Sequence, residues 1–444
     1  MTSTGSAHAP TQGKLRQTLL PPLRHLLTNQ RVETWARQAG HRWRNRVYTP
    51  VITLLACILQ HLEGTGTRAL EDSLALQDGS LANVPRDGHD FCAARRRLPV
   101  RVFQQALRCL GEAAQHAQAD FWHGLRVRQV DGTTLTVPRT DANLATLGAA
   151  TNPHGSSRLP VVRLVLLVTA GAVLDLAFGP YRVGEMRLFL ILLARLPAGG
   201  ILVGDALFGS YLAAALLVHR GSHLLCARHK GRTPNPIRRL GRGDTLHLWC
   251  RPRAQHILLP HLLATLPKTL EVREIRRTVH RQGYRDYALV VWTTLLDPQA
   301  YPADEVAALY LRRWYIELDL RTLKHRHGLQ RLRTQTPPAV VREIYSAVLA
   351  FNAVRVLMAQ TGQPVRALSH ERARALLVGV AAQMSAAPAA ELPERFRLLL
   401  RLLGQACWEA RERPPEPRAA VHKPQRYPFL TRSRKSWRAK HHVA

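Results

Sequence analysis

The sequence predicts an α/β protein with helical segments at both ends, and three observations support this class. Residues 48–63 (YTPVITLLACILQHLE) are apolar at helical spacing, whereas residues 125–137 (LRVRQVDGTTLTV) alternate in the manner of a β-strand. Residues 304–327 contain neither Gly nor Pro before Gly328, and two acidic residues at their start favour helix initiation. We therefore expect one long helix over residues 304–327, after a sheet and an N-terminal helical region.

The charge balance points to a polyanionic partner. The 444 residues include 63 Lys or Arg against 30 Asp or Glu, which gives a formal net charge of +33. Such a protein attracts polyanions, and nucleic acid is the most general of these partners. A hydrophobic share of 46% is enough for a sizeable core and for two or three domains, which disfavours a ribosomal or chromatin-like structural protein.

Cysteine usage and hydropathy predict a cytoplasmic protein that does not enter a membrane. Six cysteines are scattered without a Cys-x-x-Cys pair, which argues against a zinc site or a disulfide framework and favours reduced thiols. No charged-then-apolar leader opens the sequence, so no signal peptide is expected. The most apolar stretch, residues 161–181, contains Arg163 and Asp175, which favours a pair of strands over a membrane span.

The N-terminal quarter of the chain predicts a small DNA-binding domain. Residues 1–12 are small and polar and predict disorder, and residues 13–118 predict an all-helical domain with a helix break at Pro99. The alternative for the basic residues at this break is a solvated face. Three consecutive arginines stand there, and we expect them to contact DNA phosphate: Arg95, Arg96 and Arg97.

The middle of the chain predicts a sheet built in a defined order. Residues 119–227 predict three strands, a helix, a strand, a helix and a last strand, with a β-hairpin turn at Ala170 and Gly171. This order fits an RNase H-like α/β core, with residues 304–360 as its second part. The interval 228–303 is basic and β-prone and predicts an insertion into that core. Two segments follow, a helical region over residues 361–413 and a flexible basic tail over residues 414–444.

One stripe of the expected long helix carries polar groups of complementary kinds. Placed on a helical wheel, its members fall within about 80° of one another, and an ordinary core-facing stripe would be apolar. The combination suits a phosphodiester that is bound together with a metal ion, whereas the alternative is a solvated face with i,i+4 ion pairs. The stripe consists of Tyr310, Arg313, Glu317, Arg321 and Lys324.

The spacing of four of these residues is also a known signature. Tyr310, Arg313, Glu317 and Lys324 form a Tyr-x2-Arg-x3-Glu-x6-Lys pattern within the stretch WYIELDLRTLK. It resembles the signature of transposases of insertion-sequence family four, in the DDE superfamily. The resemblance implies an RNase H-like fold with a β-rich insertion, cut-and-paste transposition and a DNA hairpin step. It also implies that Tyr310, Arg313 and Lys324 hold the transposon end, in a homodimer whose active sites act on the partner's DNA.

Three carboxylates are the candidate metal ligands. Phosphodiester hydrolysis can use two divalent metals about 3.5–4 Å apart, and hard metals prefer carboxylate oxygens. The resemblance supplies the positions of both aspartates, and it implies that Asp131, Asp205 and Glu317 hold two Mg²⁺ ions, for which Mn²⁺ can substitute. Read singly, Asp131 could be a turn residue and Asp205 a helix cap. Four other carboxylates are weaker candidates: Asp141, Asp175, Glu185 and Asp319. Glu185 is the best of them, and Asp319 is expected to face away from Glu317.

A hairpin step requires a base to leave the stack, and an aromatic side chain can hold such a base. Trp292 in the insertion is the candidate and Trp249 a weaker one, whereas the alternative for each is an ordinary buried tryptophan. The expected partners are double-stranded DNA and a second copy of the chain. Two other functions compete with a transposase, a host-adopted DNA-binding protein and a stand-alone nuclease of the same fold.

Overall fold

The computed structural model describes residues 19–44, 46–78, 81, 86–149, 159–253, 260–280, 286–408, 436 and 439. The predicted disorder of residues 1–12 and nearly all of the predicted basic tail, residues 414–444, lie outside these described residues. The strands of the described part are β1 (Phe121–Trp122), β2 (Leu125–Thr136), β3 (Val161–Thr169), β4 (Ala172–Pro180), β5 (Ile201–Gly204), β6 (His223–Ala227), β7 (Pro236–Gly241), β8 (Asp244–Cys250), β9 (Thr269–Val279) and β10 (Tyr287–Thr293).

Fourteen α-helices accompany these strands in the described part of the chain. They are α1 (Asn29–Gln38), α2 (Pro50–Glu63), α3 (Thr67–Gln77), α4 (His89–Arg97), α5 (Val100–Ala117), α6 (Asp141–Leu147), α7 (Glu185–Arg195), α8 (Tyr211–His219), α9 (Pro260–Thr265), α10 (Ala303–Leu311), α11 (Trp314–Arg326), α12 (Pro337–Ala359), α13 (His370–Ala386) and α14 (Leu392–Gly404). No helix in the described ranges is both long and apolar enough to span a membrane.

The strands join into a sheet of order β4-β3-β2-β5-β6-β10-β9-β8-β7, with β1 paired to β2. Strands β2, β3 and β4 are antiparallel neighbours, whereas β5 and β6 run parallel to β2. The predicted β-hairpin turn is confirmed, because Ala170 and Gly171 both take positive φ values, 49° and 76°. The mixed α/β class is therefore confirmed, and residues 125–227 have the predicted succession of strands and helices, with α6 as an additional helix.

The β-prone interval after Ala227 extends the same sheet. Strand β10 pairs antiparallel with β6, with Thr293 opposite Leu225, and β9, β8 and β7 follow outwards. An uncovered edge at β6 would leave a row of backbone donors and acceptors unpaired, and β10 satisfies them. The insertion is thus continuous with the first strands through backbone hydrogen bonds.

The N-terminal helices share their hydrophobic core with later parts of the chain. Helix α12 is buried along almost its whole length, and α2 and α5 pack against it. Helix α5 also lies on β4, where the Cβ of any larger residue at Gly111 would be 2.9 Å from the carbonyl oxygen of Val173. The same core contains residues of α13 and α14, which confirms helices within the predicted C-terminal helical region. The predicted boundaries at residues 119 and 361 therefore separate segments whose buried residues belong to the same hydrophobic cluster.

The prediction of one long helix over residues 304–327 is wrong. The structure has two helices, α10 and α11, which are separated at Arg312 and Arg313. The amides of Arg313 and Ile316 bond to carbonyls three residues earlier, which tightens the chain at this point. The Arg312 carbonyl accepts a hydrogen bond from Gln129 Nε2 at 2.8 Å, and the Arg312 guanidinium pairs with Asp120 at 2.5 Å. These contacts come from distant parts of the chain, so no local sequence signal marks the break.

Candidate active site

Strand register brings the first two carboxylates of the predicted trio together. Gln129 on β2 is aligned with Val203 on the parallel strand β5. Asp131 lies two residues further along β2, and Asp205 lies two residues after Val203, directly after the end of β5. The charge of Asp205 raises the pKa of Asp131, so the two carboxylates lie within electrostatic range of each other. The amide of Gly132 donates to Asp131 Oδ1 at 2.8 Å, and the amide of Leu207 donates to Asp205 Oδ1 at 2.8 Å.

The third carboxylate approaches from the helical layer. Glu317 lies in the first turn of α11, where negative charge is favourable, and its carboxylate pairs with the guanidinium of Arg313. Burial raises the pKa of Asp131 to about 6; the charges of Asp205 and Glu317 raise it as well, whereas Arg313 and the Gly132 amide lower it. The three predicted carboxylates and Arg313 therefore form one electrostatic cluster.

Tyr310 lies beside this cluster on the preceding helix. Its ring centroid is 5.9 Å from the Arg313 guanidinium, and the residue is 8% exposed. Burial raises the pKa of Tyr310 to about 12, so the phenol stays protonated near neutral pH although Arg313 favours its ionised form. Arg313 lies in the break between α10 and α11, and its guanidinium is near Tyr310 on one side and pairs with Glu317 on the other.

The remaining basic residues separate into two groups. Lys324 lines a cavity together with Arg95 and Arg96, although these arginines come from the opposite end of the chain. Arg97 and Arg321 are exposed and do not line that cavity. The DNA-binding role of all five stays a prediction.

A fourth carboxylate, Glu185, lies close to the trio. A Cβ placed on Gly132, the neighbour of Asp131, would be 2.7 Å from the Glu185 carboxylate, so a larger residue at position 132 would displace that side chain. Glu185 begins helix α7, and its Oε1 is 3.6 Å from Arg163 Nη1. Burial raises the pKa of Glu185, and the charge of Asp205 raises it further, whereas Arg163 lowers it.

The other three weak candidates stand apart from the trio. Asp319 is fully buried and bonds at 2.7 Å to Arg355 and Arg366, so it faces away from Glu317 as predicted. Asp175 pairs with Arg195 at 3.0 Å. Asp141 is exposed in the first turn of α6.

The predicted base-stacking role of Trp292 does not agree with the structure. Trp292 is 1% exposed, and its indole Nε1 donates to Glu274 Oε2 at 2.7 Å. Its ring packs against that of Trp249, with centroids 4.7 Å apart, and Trp249 is itself only 6% exposed. Neither ring face is open to an extruded base, so the alternative of buried core tryptophans describes both residues.

The carboxylate trio fits the chemistry of a divalent cation. Its donors are hard oxygens, which divalent cations such as Mg²⁺ prefer. Burial raises the pKa of Asp131, the charges of Asp205 and Glu317 raise it further, and a bound cation would favour the ionised carboxylate. Glu317 is paired with Arg313 here. Within the part of the chain that the structure describes, no group of three His, Cys, Asp or Glu residues is already arranged as a metal site.

Two bacterial proteins and one solved structure are similar to this chain. It is 26% identical over 348 residues to the transposase InsG for insertion sequence element IS4 of Escherichia coli strain K12, with 76% of each chain covered. It is 32% identical over 143 residues to the putative transposase InsZ of the same strain, covering 31% of this chain and 46% of the relative. A solved piggyBac transposase synaptic complex with hairpin DNA covers 89% of this chain and 87% of its own, at 11% identity and a TM-score of 0.42.

A family model supports the same relationship independently of these individual proteins. The model described as the transposase DDE domain matches residues 122–353, a segment that contains all three predicted carboxylates and the whole signature. A DDE domain implies dependence on a divalent metal, and a transposase is an enzyme that acts on DNA. The chain belongs to the DDE transposases of insertion-sequence family four.

Proposed function

We propose that this enzyme is a cut-and-paste DNA transposase. It binds the terminal inverted repeats of its insertion sequence, cleaves the ends by metal-dependent phosphodiester hydrolysis and joins them to target DNA. The observation that supports this proposal most directly is the meeting of Asp131, Asp205 and Glu317, from two strands and a helix, beside Arg313. Three acids from separate elements with an arginine next to them suit a phosphodiester and its metal ions.

The proposal includes an RNase H-like catalytic core, interrupted after Ala227. Three antiparallel strands, β4, β3 and β2, followed by the parallel strands β5 and β6, support this assignment. The first two carboxylates come from neighbouring strands in the middle of that order. The β-rich insertion then lies between Asp205 and Glu317, as expected for the family.

The cofactor we propose is Mg²⁺, which Mn²⁺ can replace, held by Asp131, Asp205 and Glu317. When bound, the metal lowers the pKa of the attacking oxygen and stabilises charge on the leaving oxygen. Arg313 pairs with Glu317, and its planar guanidinium can also bind a phosphate. Tyr310, which stays protonated, can donate a hydrogen bond to the same phosphate.

The decisive experiment replaces the three carboxylates one at a time. Asp131→Asn, Asp205→Asn and Glu317→Gln should each abolish cleavage of end DNA in Mg²⁺ but leave binding of that DNA largely intact, because affinity depends mainly on phosphate contacts elsewhere. Asp141→Asn, at an exposed carboxylate outside the cluster, is the matched control. Residual cleavage within about tenfold of the wild-type rate would exclude that residue as a metal ligand.

The DNA hairpin step is a separate part of the proposal. Arg313→Ala or Lys324→Ala should leave first-strand nicking less affected than hairpin closure, because closure needs the 3′ hydroxyl held against the opposite strand. A gel time course that separates nicked, hairpin and released ends measures this. Equal slowing of every step would assign Arg313 and Lys324 to DNA binding alone.

We also propose a homodimer on DNA, in which two transposon ends are related by a two-fold axis. Each active site would act on the end bound mainly by the partner. Mixing subunits that carry Asp131→Asn with full-length subunits that carry Arg96→Ala and Arg97→Ala, which should impair end binding, tests this arrangement. Recovery of cleavage in the mixture supports action on the partner's end, whereas no recovery contradicts it.

A further inference from the structure

The break between α10 and α11 lies just before the glutamate of the candidate active site. Across it, the amide of Ile316 donates to the carbonyl of Arg313, three residues earlier. In a continuous α-helix that amide would instead donate to the Arg312 carbonyl, four residues earlier. The break therefore sets the direction in which α11 leaves, and with it the position of Glu317 in the first turn of α11.

A buried side chain of the sheet binds this break. The Nε2 amide of Gln129 donates to the Arg312 carbonyl at 2.8 Å, and Gln129 is 7% exposed. The backbone of Gln129 is itself fixed on both sides, because β2 is paired with β3 at Val168 and with β5 at Val203. This hydrogen bond therefore ties the break to the middle of the sheet.

A second contact holds the same residue through its side chain. The Arg312 guanidinium pairs with Asp120 at 2.5 Å, and the backbone carbonyl of Asp120 accepts from the Val127 amide of β2 at 2.9 Å. Packing on this side of the break is incomplete, because Gln129, Asp120 and Arg312 line a cavity of about 250 Å³. Polar contacts rather than close packing therefore hold the break in place here.

The strand that anchors the break also carries the first carboxylate of the trio. Gln129 and Asp131 are two residues apart on β2, so their side chains lie on the same face, about 7 Å apart along the strand. Arg312 is followed by Arg313, whose guanidinium pairs with Glu317. One strand thus bears a candidate metal ligand and the amide that anchors the helix of another.

Helix α11 has a further anchor on its other side. Asp319, two residues after Glu317, accepts a hydrogen bond from Arg355 of α12 at 2.7 Å. That anchor leads to the helical layer, whereas the anchor at Arg312 leads to β2. Of the two, the anchor at Arg312 therefore sets the distance from α11 to the strand of Asp131.

We propose that Gln129 and Asp120 are positioning residues for DNA cleavage. Through Arg312 they hold the start of α11, and thereby the distance between Glu317 and Asp131. The inference rests on the proposed function, because it concerns the same carboxylates. Carboxylates that share divalent cations must keep a fixed spacing, and functional groups of this kind tolerate displacements of about 0.5 Å.

The test replaces Gln129 by Met, which keeps the volume of the side chain but has no donor for the Arg312 carbonyl. At saturating end DNA in Mg²⁺, the cleavage rate should fall about 10–100-fold, as for other losses of a group that orients a metal ligand. The KM for end DNA should stay unchanged, because affinity depends mainly on phosphate contacts elsewhere. Calorimetric titration of the DNA-free protein should show Mn²⁺ affinity reduced about tenfold or more.

Thr169→Val is the matched control. The Thr169 hydroxyl donates to the Val127 carbonyl of β2 at 3.0 Å, and Thr169 is 2% exposed, so valine removes a buried hydrogen bond to the same strand at a point away from the break. Gln129→Met and Thr169→Val should both lower the melting temperature, since each loses a buried hydrogen bond. Only Gln129→Met should change the cleavage rate and the Mn²⁺ affinity. If the two variants cleave and bind Mn²⁺ alike, Gln129 has a purely structural role and the proposal is wrong.

Asp120→Ala tests the same anchor at a side chain that is 28% exposed and therefore more tolerant of substitution than buried Gln129. It should also lower the cleavage rate and the Mn²⁺ affinity. Its effect should be smaller in the presence of Gln129→Met than alone, because both residues act through Arg312. Wild-type Mn²⁺ affinity in Asp120→Ala, or fully additive losses in the double variant, would overturn the proposal.

Failure of the proposed function gives a different pattern of results. If Asp131→Asn and Glu317→Gln cleave normally, the proposed active site is wrong, and with it the residues that Gln129 would position. If those variants are inactive but Gln129→Met matches Thr169→Val, the positioning role alone is wrong and the catalytic proposal is unaffected.

Discussion

The two halves of the sheet differ in whether their buried charges are paired. The first half consists of β4, β3, β2, β5 and β6, and the insertion half consists of β10, β9, β8 and β7. In the insertion half, Arg273 is fully buried and donates to both oxygens of Asp244, at 2.8 and 2.6 Å. In the half that carries the candidate active site, burial raises the pKa of Asp131, and the like charges of Asp205 and Glu317 raise it further. Charges that only hold a fold are paired, because an unpaired buried charge costs several kcal/mol. Charges that repel one another in a partly buried site are typical of a functional centre.

Glu274 shows the same contrast within the insertion. It is 3% exposed, and burial alone would raise its pKa. Hydrogen bonds from Trp292 and Arg276 outweigh burial, so its pKa is lowered. The pKa of Glu274 is lowered because its hydrogen-bond donors outweigh burial, whereas the pKa of Asp131 is raised because burial and the neighbouring carboxylates outweigh its donor and Arg313.

The largest effect on stability is expected from removing one partner of the buried Asp244–Arg273 pair in the insertion half. Asp244→Ala leaves the Arg273 guanidinium buried without its carboxylate and should cost about 3–5 kcal/mol of unfolding free energy. Urea denaturation measures the loss. Asp304→Ala is the control, because it breaks the exposed pair with Arg277 and should cost about 0–1 kcal/mol. Similar losses in both variants would contradict the contrast between the halves.

In the half that carries the candidate active site, removing a buried charge should increase stability. The Asp131 pKa in the folded protein, about 6, lies above its ordinary value of 3.8, so its ionised form destabilises the metal-free fold above pH 6. Asp131→Asn should therefore stabilise the metal-free protein at pH 7 by about 1–2 kcal/mol, allowing for partial exposure. The gain should shrink as pH falls from 6 and vanish below 3.8, where the carboxyl is neutral in both states. Thermal unfolding with a chelator across this range measures it, and a variant less stable than wild type at pH 7 would contradict the prediction.

The same titration predicts how cation binding depends on pH. A cation must displace the Asp131 proton below pH 6, so Mn²⁺ affinity should fall by up to about tenfold per pH unit there and level off above it. Calorimetric titration of the wild-type protein at several pH values tests this. Asp141→Asn, at an exposed carboxylate, should keep the same pH profile. An affinity that is flat through pH 6 would show that the Asp131 proton is not displaced.

The smallest effect concerns the buried tryptophan. Trp292→Phe removes the hydrogen bond to Glu274 but keeps an aromatic ring in the core, so we expect a loss of about 1–2 kcal/mol in stability. Cleavage and hairpin formation should stay close to wild type in a time course at low temperature. A selective loss of hairpin product with unchanged stability would restore a role for Trp292 in DNA distortion.

Local sequence patterns determined most of the secondary structure, and the family resemblance of the signature identified the candidate catalytic residues. Apolar spacing predicted α2, strand alternation predicted β2, and Pro99 separated α4 from α5, because each feature depends on neighbouring residues. The residue types and spacing of the signature pointed to Glu317, Arg313 and Tyr310 before any geometry was known. Their family assignment is confirmed by the comparisons.

Only the tertiary structure decided features that depend on distant residues. The break between α10 and α11 involves Gln129 and Asp120, more than 180 residues earlier in the chain. Burial of Trp292 follows from β10 joining the edge of β6, which the alternation of its own strand could not specify. Arg96 and Lys324 line the same cavity because α4 and α11 both pack against the central helix α12. Sequence patterns act over a few residues, whereas the packing of helices and strands depends on contacts between residues far apart in the sequence.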